Sequence, residues 1–521
     1  MKPASHPVLS CDEARRLEEK LFAGDEAREW PAMGRAGRAV AAAVLDDFEE
    51  IGGFPAGGRV LVLAGKGHNG GDALLAAQAI LEKFPAARAD VLLVFGERAP
   101  RPLALRAYRQ LSHAARGRVA LTKVTAPPAA KGRGRKAAPP PEAGRGYDLC
   151  LDGIFGFQFR PPVDAAVKAL LAQVNGMDIR LRAAVDLPSG LGGEADKVDR
   201  DALFRADFTY ATGVVKSPVI DSSNAAAVGR LRYLDLGFFD AKPVSSRLNV
   251  LTPAILRPLA GLRAAESDKR TYGHLLVVGG SRSYPGAVLM SVLAALRSGA
   301  GLVTAFVPES LAAAFAARAP EAMWVGCPET PHGGLALEGQ RLLQSRVGRA
   351  TALAIGPGLG QEPETFTLVK EIVKSATVPL VLDADALQAD IVRTGKAPRI
   401  LTPHRGEFMR ILAGGDFREF QQKSGAVVVL KGRLTGITQH EQGYYSLFGG
   451  PVLARGGSGD LLAGIIGTQL AQTPHDPLLA ACRGTVWHGR AADLLARTHG
   501  QVAVQTTQLL DFLPVALHAS E

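Results

Sequence analysis

The sequence predicts an α/β protein made of two consecutive units, each with a parallel sheet covered by helices on both faces. Short runs of β-branched and leucine residues alternate with Ala- and Leu-rich helical stretches along the chain. These runs are continuously apolar, which is typical of strands buried on both faces of a parallel sheet. The pattern fades over residues 240–265, where three prolines lie, and then restarts. We therefore place the boundary between the units near residue 245.

Each unit has its own series of predicted elements. In the first unit, residues 1–245, the predicted strands are 59–65, 90–96, 147–153 and 181–187, and the predicted helices are 72–84 and 160–176. In the second unit, residues 246–521, the predicted strands are 274–281, 301–308, 350–358, 378–385, 398–404 and 425–432. Helices are expected near 287–299 and from about residue 460.

Composition narrows the class of protein. The chain has 521 residues, 47% hydrophobic and 21% charged, which suits two to four folded domains. Its four cysteines lie far apart and form no CxxC pair, so a disulfide framework or zinc site is disfavoured. There is no signal-peptide pattern and no apolar run of about 18 residues. We expect a cytoplasmic protein that does not span a membrane.

The positive charge is concentrated in one segment. The net charge is +10, and the stretch from Arg116 to Arg145 carries +7 of it. Within it, residues 126–146 are rich in Pro, Gly, Ala and basic residues, which predicts a flexible insertion. Because this segment has no aromatic or groove-reading element, we expect no nucleic-acid partner.

A glycine-rich run follows the first predicted strand and leads into a helix. It reads Gly65-Lys66-Gly67-His68-Asn69-Gly70-Gly71-Asp72. Glycines allow close approach of a ligand, and a helix N-terminus favours anions. The plainer interpretation is a tight turn capped by Asp72. The run lacks GxGxxG with a following ribose-binding acid, so an ordinary dehydrogenase is disfavoured.

Two further strands of the first unit end in carboxylates. Asp152 follows one strand, and Asp186 begins the run Asp-Leu-Pro-Ser-Gly that ends at Gly190. Ligands of open α/β sheets bind beyond the carboxyl ends of the strands, so these acids are expected near Asn69 and Ser189. Such hard oxygens suit a monovalent or hard divalent cation, although a lone strand-end Asp is often only a turn residue.

These motifs, with MGRAGRAVA at 33–41, resemble those of NAD(P)H-hydrate epimerase domains over about residues 10–240. The resemblance implies a Rossmann-like three-layer sandwich with K⁺ bound by Asn69, Asp152 and Ser189. It also implies a catalytic Asp186 and substrate contacts from His68, Asn69, Gly70, Gly71, Asp72, Gly156 and Asp186. The chain departs from the family at His68, where Asn is usual, and at Phe157-Gln158, where Thr-Gly is usual.

The second unit also carries its motifs at strand ends. His404 follows one strand with Glu407 three residues on, which favours a functional histidine, although Glu407 also suits a helix start. Lys431 follows the next strand and is placed to meet nucleotide phosphates.

The strongest signal is Gly456-Gly457-Ser458-Gly459-Asp460, which opens a helix. Its free N–H groups predict an anion hole suited to phosphoryl transfer, with Asp460 as the base for the attacking hydroxyl. The plainer interpretation of Asp460 is a helix-start acid. The absence of GxxxxGK[ST] excludes a P-loop enzyme.

This signature resembles the Gly-x-Gly-Asp motif of ribokinase-like phosphotransferases. With GPGLG, VLDADAL, TPHRGE and KG-x-x-T in this order, it is similar to the nucleotide-dependent NAD(P)H-hydrate dehydratases over about residues 250–521. The resemblance implies a ribokinase-like α/β domain that uses ADP with Mg²⁺. It implies substrate contacts at Ala287, Gly358, His404 and Asp460, and nucleotide contacts at Lys431, Gly432, Arg433, Leu434, Thr435 and Gly459. Ser458 stands where Thr is common.

Together the two halves predict a bifunctional enzyme that repairs hydrated NADH and NADPH. The first unit would interconvert the R and S hydrates at C6, and the second would dehydrate the S form with ADP. The alternatives are a small-molecule kinase of the vitamin or sugar type and a non-catalytic nucleotide-binding module. The expected partners are NADHX, NADPHX and an adenine nucleotide, and we expect a homo-oligomer.

Overall fold

A computed structural model describes residues 2–122, 146–194, 197–240, 244 and 246–518. The chain forms two compact units, Pro7–Ser246 and Arg247–Glu521, and Met1–His6 belongs to the second of them. The sequence had placed the first six residues in the first unit. The structure instead joins Ala4 to the second unit, where its carbonyl accepts a hydrogen bond from Thr252 N–H at 3.1 Å. The predicted basic insertion at 126–146 lies outside the described residues except for Gly146.

Among the described residues, the N-terminal unit has nine strands. Seven of them form one parallel sheet, and the other two pair with each other. Its strands are β1 (Ser5–Leu9), β2 (Arg59–Ala64), β3 (Arg88–Leu93), β4 (Val119–Thr122), β5 (Tyr147–Gly153), β6 (Ile179–Val185), β7 (Phe208–Thr212), β8 (Val215–Lys216) and β9 (Arg230–Leu234). The order in the sheet is β4-β3-β2-β5-β6-β7-β9, and β1 pairs separately with β8. The helices are α1 (Cys11–Phe22), α2 (Glu26–Phe48), α3 (His68–Lys83), α4 (Pro102–Ala114), α5 (Ala165–Asn175), α6 (Ser217–Ile220) and α7 (Ala225–Val228).

Both faces of this sheet are buried, as its apolar strands predicted. Along β2, Val60 and Val62 pack into one hydrophobic cluster, which contains residues of α2, α3 and α4. Leu61 and Leu63 pack into a second cluster, with α5. Because neighbouring side chains of a strand point to opposite faces, the unit has three layers with the sheet in the middle.

The C-terminal unit is a larger α/β sandwich. Its strands are β10 (Leu248–Leu251), β11 (His274–Val278), β12 (Leu302–Pro308), β13 (Met323–Cys327), β14 (Ala352–Ile355), β15 (Leu380–Leu382), β16 (Arg399–Leu401), β17 (Val427–Leu430), β18 (Thr435–Gln439) and β19 (Gln442–Ser446). Within the unit they lie in the order β13-β12-β11-β14-β15-β16-β17-β18-β19-β10. The pairs from β13 to β17 are parallel, whereas β17–β18 and β18–β19 are antiparallel.

Helices cover both faces of this second sheet. They are α8 (Pro285–Arg297), α9 (Glu309–Arg318), α10 (Gln340–Val347), α11 (Pro363–Ser375), α12 (Arg405–Leu412), α13 (Phe417–Ser424), α14 (Ser458–Gln472), α15 (Pro477–His499) and α16 (Leu509–His518). Leu275 and Leu276 of β11 enter different hydrophobic clusters, one on each face. The predicted α/β class is therefore correct for both units. Within the described ranges, no helix combines the length and the apolar character that crossing a bilayer requires.

Candidate active sites

A cavity of about 530 Å³ opens in the N-terminal unit, and its lining includes residues that follow β2, β5 and β6. Five of the predicted site residues line it, namely His68, Asn69, Asp72, Gly156 and Asp186. The motifs that follow three different strands thus meet in one place, as expected for an open parallel sheet. Helices α1 and α2 supply much of the remaining lining, and Phe95, Arg101, Thr212, Leu236 and Phe238 also contribute.

Helix α3 begins at this cavity without a capping side chain. Its N-cap is Gly67, and Gly67, His68 and Asn69 all line the cavity. The first N–H groups of the helix therefore have no side-chain cap and are available to an anion. Gly70 and Gly71 have another role, because a Cβ at Gly70 would lie 2.5 Å from the Gly65 carbonyl oxygen and one at Gly71 would lie 2.6 Å from Met33 Sδ. These two glycines allow close packing behind the cavity.

Two of the three predicted cation ligands, Asp152 and Ser189, are joined by short hydrogen bonds. Ser189 donates to Asp152 through its hydroxyl at 2.6 Å and its backbone N–H at 2.7 Å. Asn69 Nδ2 donates to the Phe155 carbonyl at 2.7 Å, which leaves the amide oxygen available as a ligand. Burial raises the pKa of Asp152 to about 6, although its hydrogen bonds act in the other direction.

A monovalent cation fits this donor set. Asp152 is fully buried, and within the described part of the chain no cationic side chain pairs with it. Across the same ranges, no group of three or more His, Cys, Asp or Glu side chains is arranged to hold a metal ion. One buried carboxylate with neutral amide and hydroxyl oxygens suits a weakly charged ion better than a divalent one.

Asp186 lies in the same cavity and is held by a buried lysine that the sequence did not single out. Lys216 Nζ lies 2.5 Å from Asp186 Oδ1, and the two side chains are 1% and 6% exposed. Thr212 donates to the same oxygen through its hydroxyl and its N–H, at 3.3 and 3.4 Å. Asp186 has a φ of 68°, a left-handed conformation that is unusual for a residue other than glycine. A backbone outlier held by several contacts is typical of a functional position.

The unusual Phe157 covers this pair. Lys216 Nζ lies 4.9 Å from the centre of the Phe157 ring, which is itself buried. The departure from the family pattern therefore places an aromatic face on the lysine that holds Asp186. An aromatic wall continues along the cavity, where the Phe155 and Phe159 rings stack at 4.2 Å and Phe95 lies 5.9 Å from Phe155. Lys66 and Arg101 add positive charge to the lining.

Two further acids of the cavity have raised pKa values. Burial is the largest cause in each case, and the negative charge of Asp186 adds to it. The pKa of Asp72 lies well above its ordinary range, and that of Glu18 on α1 is raised to about 7. Lys216 opposes both shifts. The cavity thus holds an acid paired with lysine beside acids that resist ionisation.

The C-terminal unit gathers its motifs around the start of α14. Gly457 is the N-cap of this helix and has a φ of 89°, and no side chain caps the helix. A Cβ at Gly459 would lie 3.2 Å from Lys431 Nζ and 3.9 Å from Asp383 Oδ2. The ammonium group of Lys431 therefore lies directly beside the exposed N–H groups of the helix start. Both features attract phosphate oxygens.

Asp383 holds Lys431 in this place. Its Oδ1 accepts hydrogen bonds from Lys431 Nζ at 2.9 Å and from Thr402 Oγ1 at 2.7 Å, and its carboxylate is buried. The sequence showed Asp383 at a strand end but did not indicate this role. It follows β15 while Lys431 follows β17, so only the sheet order reveals that they meet.

Asp460 lies in the first turn of α14, in a negative environment. Burial raises its pKa to about 6, and the charges of Asp383, Asp385 and Glu407 add to the effect. Lys431 acts in the opposite direction. A carboxylate with a pKa closer to neutrality is a better proton acceptor, so the surroundings of Asp460 suit a general base.

His404 has a structural role that sequence reasoning did not foresee. Its Nδ1 caps α12 by accepting the Gly406 N–H at 2.9 Å, while Glu407 Oε2 accepts the His404 N–H at 2.8 Å. The plainer interpretation of Glu407 as a helix-start acid is thus compatible with the structure. The His404 side chain remains 61% exposed, so its ring is also accessible to a ligand.

The remaining predicted residues fall into two groups. A Cβ at Gly358 would lie 3.1 Å from Ala287 Cβ, so these two positions are neighbours although 71 residues separate them. Lys431, Gly432, Arg433 and Leu434 form the turn between β17 and β18, and Thr435 begins β18. Burial lowers the pKa of Arg433.

Fold and sites together define a two-domain α/β enzyme, with a cavity of about 530 Å³ in one unit and, in the other, an uncapped helix start beside the ammonium group of Lys431. A family model described as "YjeF-related protein N-terminus" matches residues 31–217, and one described as "NAD(P)H-hydrate dehydratase" matches residues 275–515.

Relatives match almost the whole chain. A bifunctional NAD(P)H-hydrate repair enzyme of Gloeobacter violaceus is 36% identical over 97% of this chain and 97% of its own. One from Moorella thermoacetica is 34% identical over 94% of this chain and 92% of its own. A solved structure, an ADP/ATP-dependent NAD(P)H-hydrate dehydratase of Bacillus subtilis co-crystallized with ATP/Mg²⁺, is 30% identical over 51% of this chain and 96% of its own, with a TM-score of 0.44.

The chain belongs to the family of bifunctional NAD(P)H-hydrate repair enzymes. The predicted repair enzyme with an epimerase domain and a dehydratase domain is confirmed, and it is favoured over the small-molecule kinase.

Proposed function

We propose that the cavity of the N-terminal unit interconverts the R and S hydrates of NADH and NADPH, and that the site at α14 dehydrates the S hydrate. The observation that supports this most directly is that one helix in each site begins with backbone N–H groups that no side chain caps. Both α3 and α14 begin at a glycine with no capping side chain, beside an acid whose pKa is raised. Each site lies within its own unit.

In the N-terminal cavity, the start of α3 with Lys66 and Arg101 binds the pyrophosphate. The aromatic wall of Phe95, Phe155 and Phe159 offers stacking surfaces to the rings. Asp186, whose Oδ1 accepts a hydrogen bond from Lys216 Nζ, is the base that takes up the proton released when water adds to C6. Asn69, Asp152 and Ser189 would hold K⁺, which supplies positive charge behind the substrate loops.

In the C-terminal unit, Asp460 removes the proton of the C6 hydroxyl while that oxygen attacks the transferred phosphoryl group. The Gly459 N–H and Lys431 stabilise the charge on the phosphoryl oxygens. Phosphate is a far better leaving group than hydroxide, so the lone pair of the ring nitrogen then expels it. Loss of a proton from C5 then restores the dihydronicotinamide ring of NADH or NADPH.

We propose that Ala287, Gly358 and His404 contact the nicotinamide part, and that the turn from Lys431 to Thr435 binds the adenine nucleotide. ADP with Mg²⁺ is the expected phosphoryl donor, and ATP is the alternative. Mg²⁺ would offset the negative charge of the transferred group.

The four cysteines are buried free thiols, which supports a reducing compartment such as the cytoplasm. A homo-oligomer remains a proposal.

The test supplies the purified enzyme with chemically hydrated NADH, Mg²⁺ and either ADP or ATP, and follows NADH absorbance and both epimers by chromatography. We expect the absorbance to return and both epimers to disappear. Failure of the absorbance to return with either nucleotide would exclude the dehydratase. Accumulation of a stable phosphorylated product would instead support a kinase.

A further inference from the structure

Epimerisation at C6 needs two proton-transfer groups, and Asp186 fills only one of these roles. The inference below rests on the epimerase activity proposed above. In the dehydration route to inversion at C6, the hydroxyl leaves as water and water returns on the opposite face, so one group gives a proton and another takes one. Asp186 Oδ1 accepts hydrogen bonds from Lys216 Nζ and from two donors of Thr212, so its contacts suit a proton acceptor. The proton donor must be another residue.

Glu18 is an acid of this cavity that has no structural partner. It lies on α1 and lines the cavity with Asp72 and Asp186, although it precedes the region 31–217 that the family model matches. In the described part of the chain, no hydrogen bond or ion pair holds its carboxyl. Its neighbours on the same helix are held, since Glu13 accepts from Ser10 at 2.8 Å and Glu19 pairs with Arg15 at 2.8 Å.

The fold fixes α1 against the lysine that pairs with Asp186. Glu194 Oε1 accepts the Cys11 N–H at the start of α1, at 2.9 Å, and also accepts the hydroxyl of Ser217, the residue after Lys216. A capping box between Ser10 and Glu13 fixes the same helix end. One carboxylate thus ties together the two elements that carry Glu18 and Lys216.

The charges around Glu18 place its proton exchange near neutrality. Burial, Asp186 on the β6 side and Glu29 on α2 raise its pKa to about 7, against the opposing effect of Lys216. Asp72 also faces the cavity from α3, and His68 lies 3.4 Å from Glu29. Arg15 is engaged by Glu19. Asp72 differs from Glu18 because its pKa lies well above the ordinary range, so it holds its proton more firmly.

We propose that Glu18 is the general acid of the epimerase and the partner of Asp186. Glu18 gives its proton to the C6 hydroxyl, the C6–O bond breaks, and the ring-nitrogen lone pair forms an iminium bond as water leaves. Water then adds to the opposite face of C6, the iminium electrons return to the nitrogen, and the surplus proton goes to Asp186. Solvent returns a proton to Glu18 and removes one from Asp186. In the reverse direction the two carboxyl groups exchange roles.

The test compares Glu18→Gln with Glu49→Gln, a substitution of an exposed acid that follows α2 and is not among the residues that line the cavity. Hydrated NADH is incubated with the full chain, ADP and Mg²⁺, so that the dehydratase consumes the S hydrate and loss of the R hydrate reports epimerisation. The spontaneous rate in buffer is subtracted. We expect E18Q to lower kcat for loss of the R hydrate at least about 100-fold, as for removal of a general acid. Loss of the S hydrate should stay unchanged, and E49Q should match the wild type.

A pH profile separates proton transfer from a structural role. The wild-type rate should fall as the pH rises above about 7, because the acid is then ionised. E18Q should lose this limb, and E18D, which keeps a carboxyl group, should retain it and restore part of the rate. The inference is overturned if E18Q behaves as E49Q, if E18Q keeps the wild-type fall in rate above about pH 7, or if that fall disappears in D72N instead. A wild-type chain that does not catalyse loss of the R hydrate would overturn the proposed epimerase itself.

Discussion

At the scale of single residues, the raised pKa of Asp460 predicts how the dehydratase rate depends on pH. It sits beside Asp383, Asp385 and Glu407, and burial with these charges raises its pKa to about 6. A general base works only when ionised, so dehydratase kcat should fall as the pH drops through about 6 and should level off above it. Stopped assays of S-hydrate loss from pH 5 to 8, with saturating nucleotide, measure this limb.

Substitution of Asp460 measures how much this base contributes to the dehydratase rate. Asp460→Asn keeps the shape but removes the base, so kcat should fall by about 10²–10⁴-fold. Asp390→Asn is a matched control, because Asp390 is an exposed acid paired with Lys370 on the surface. The role of Asp460 as base would be refuted by an unchanged acid limb in the Asn variant.

Residues of the sites differ in how far the sequence could reveal them. Asp152, Asp186 and Asp460 follow strand ends or start a helix, so local pattern alone indicated them. Lys216 is 30 residues from Asp186 and stands in no recognisable motif, and the sequence gave no reason to pair them. Glu18 looks like one of several acids on an amphipathic helix. What singles it out is the cavity beside it, which is a property of tertiary packing.

At the scale of elements, strands were easier to predict than helix starts. Strands buried on both faces are continuously apolar, so β2, β5, β11 and β14 fall within the predicted runs, and β6 overlaps its run. Helix α3 begins at His68, four residues before the predicted start, because a helix with a glycine N-cap has no Ser, Thr, Asp or Asn start signal. The antiparallel β18 and β19 were not predicted at all.

The position of the α14 start depends on a close crossing with α8. A Cβ at Gly464 of α14 would lie 2.2 Å from the Ser291 carbonyl oxygen of α8. Gly464→Ala should force the helices apart and cost about 1–3 kcal/mol, as overpacking does. We expect the temperature at which dehydratase activity is half lost to fall by several degrees.

Gly348→Ala is the control for that substitution. Gly348 ends α10 with a φ of −63°, and a Cβ there would meet nothing within 4 Å. It should leave the inactivation temperature unchanged. Equal values for the two variants would show that the crossing of α14 and α8 does not limit the stability of the site.

At the scale of the whole molecule, the net charge does not point to a polyanionic partner. Of the +10 total, +7 lies between Arg116 and Arg145, so the rest of the chain is almost balanced. Two nearly neutral α/β units with separate sites suit small anionic substrates. Because the two sites lie in different units, the hydrate must pass from one site to the other during repair of the R epimer.

The separation of the sites predicts that the hydrate is exchanged through solution. All residues that line the epimerase cavity lie within Pro7–Ser246, and Asp460, Asp383 and Lys431 lie within Arg247–Glu521. A chain with Asp186→Asn should restore the S hydrate and then slow to the spontaneous epimerisation rate, while Asp460→Asn should restore none. An equimolar mixture should repair both epimers completely, measured as NADH absorbance, because each variant supplies the site that the other lacks. The D186N/D460N double variant is the blank. A mixture that stalls where D186N alone stalls would show that both sites must belong to one chain, and hence that the hydrate passes directly between them.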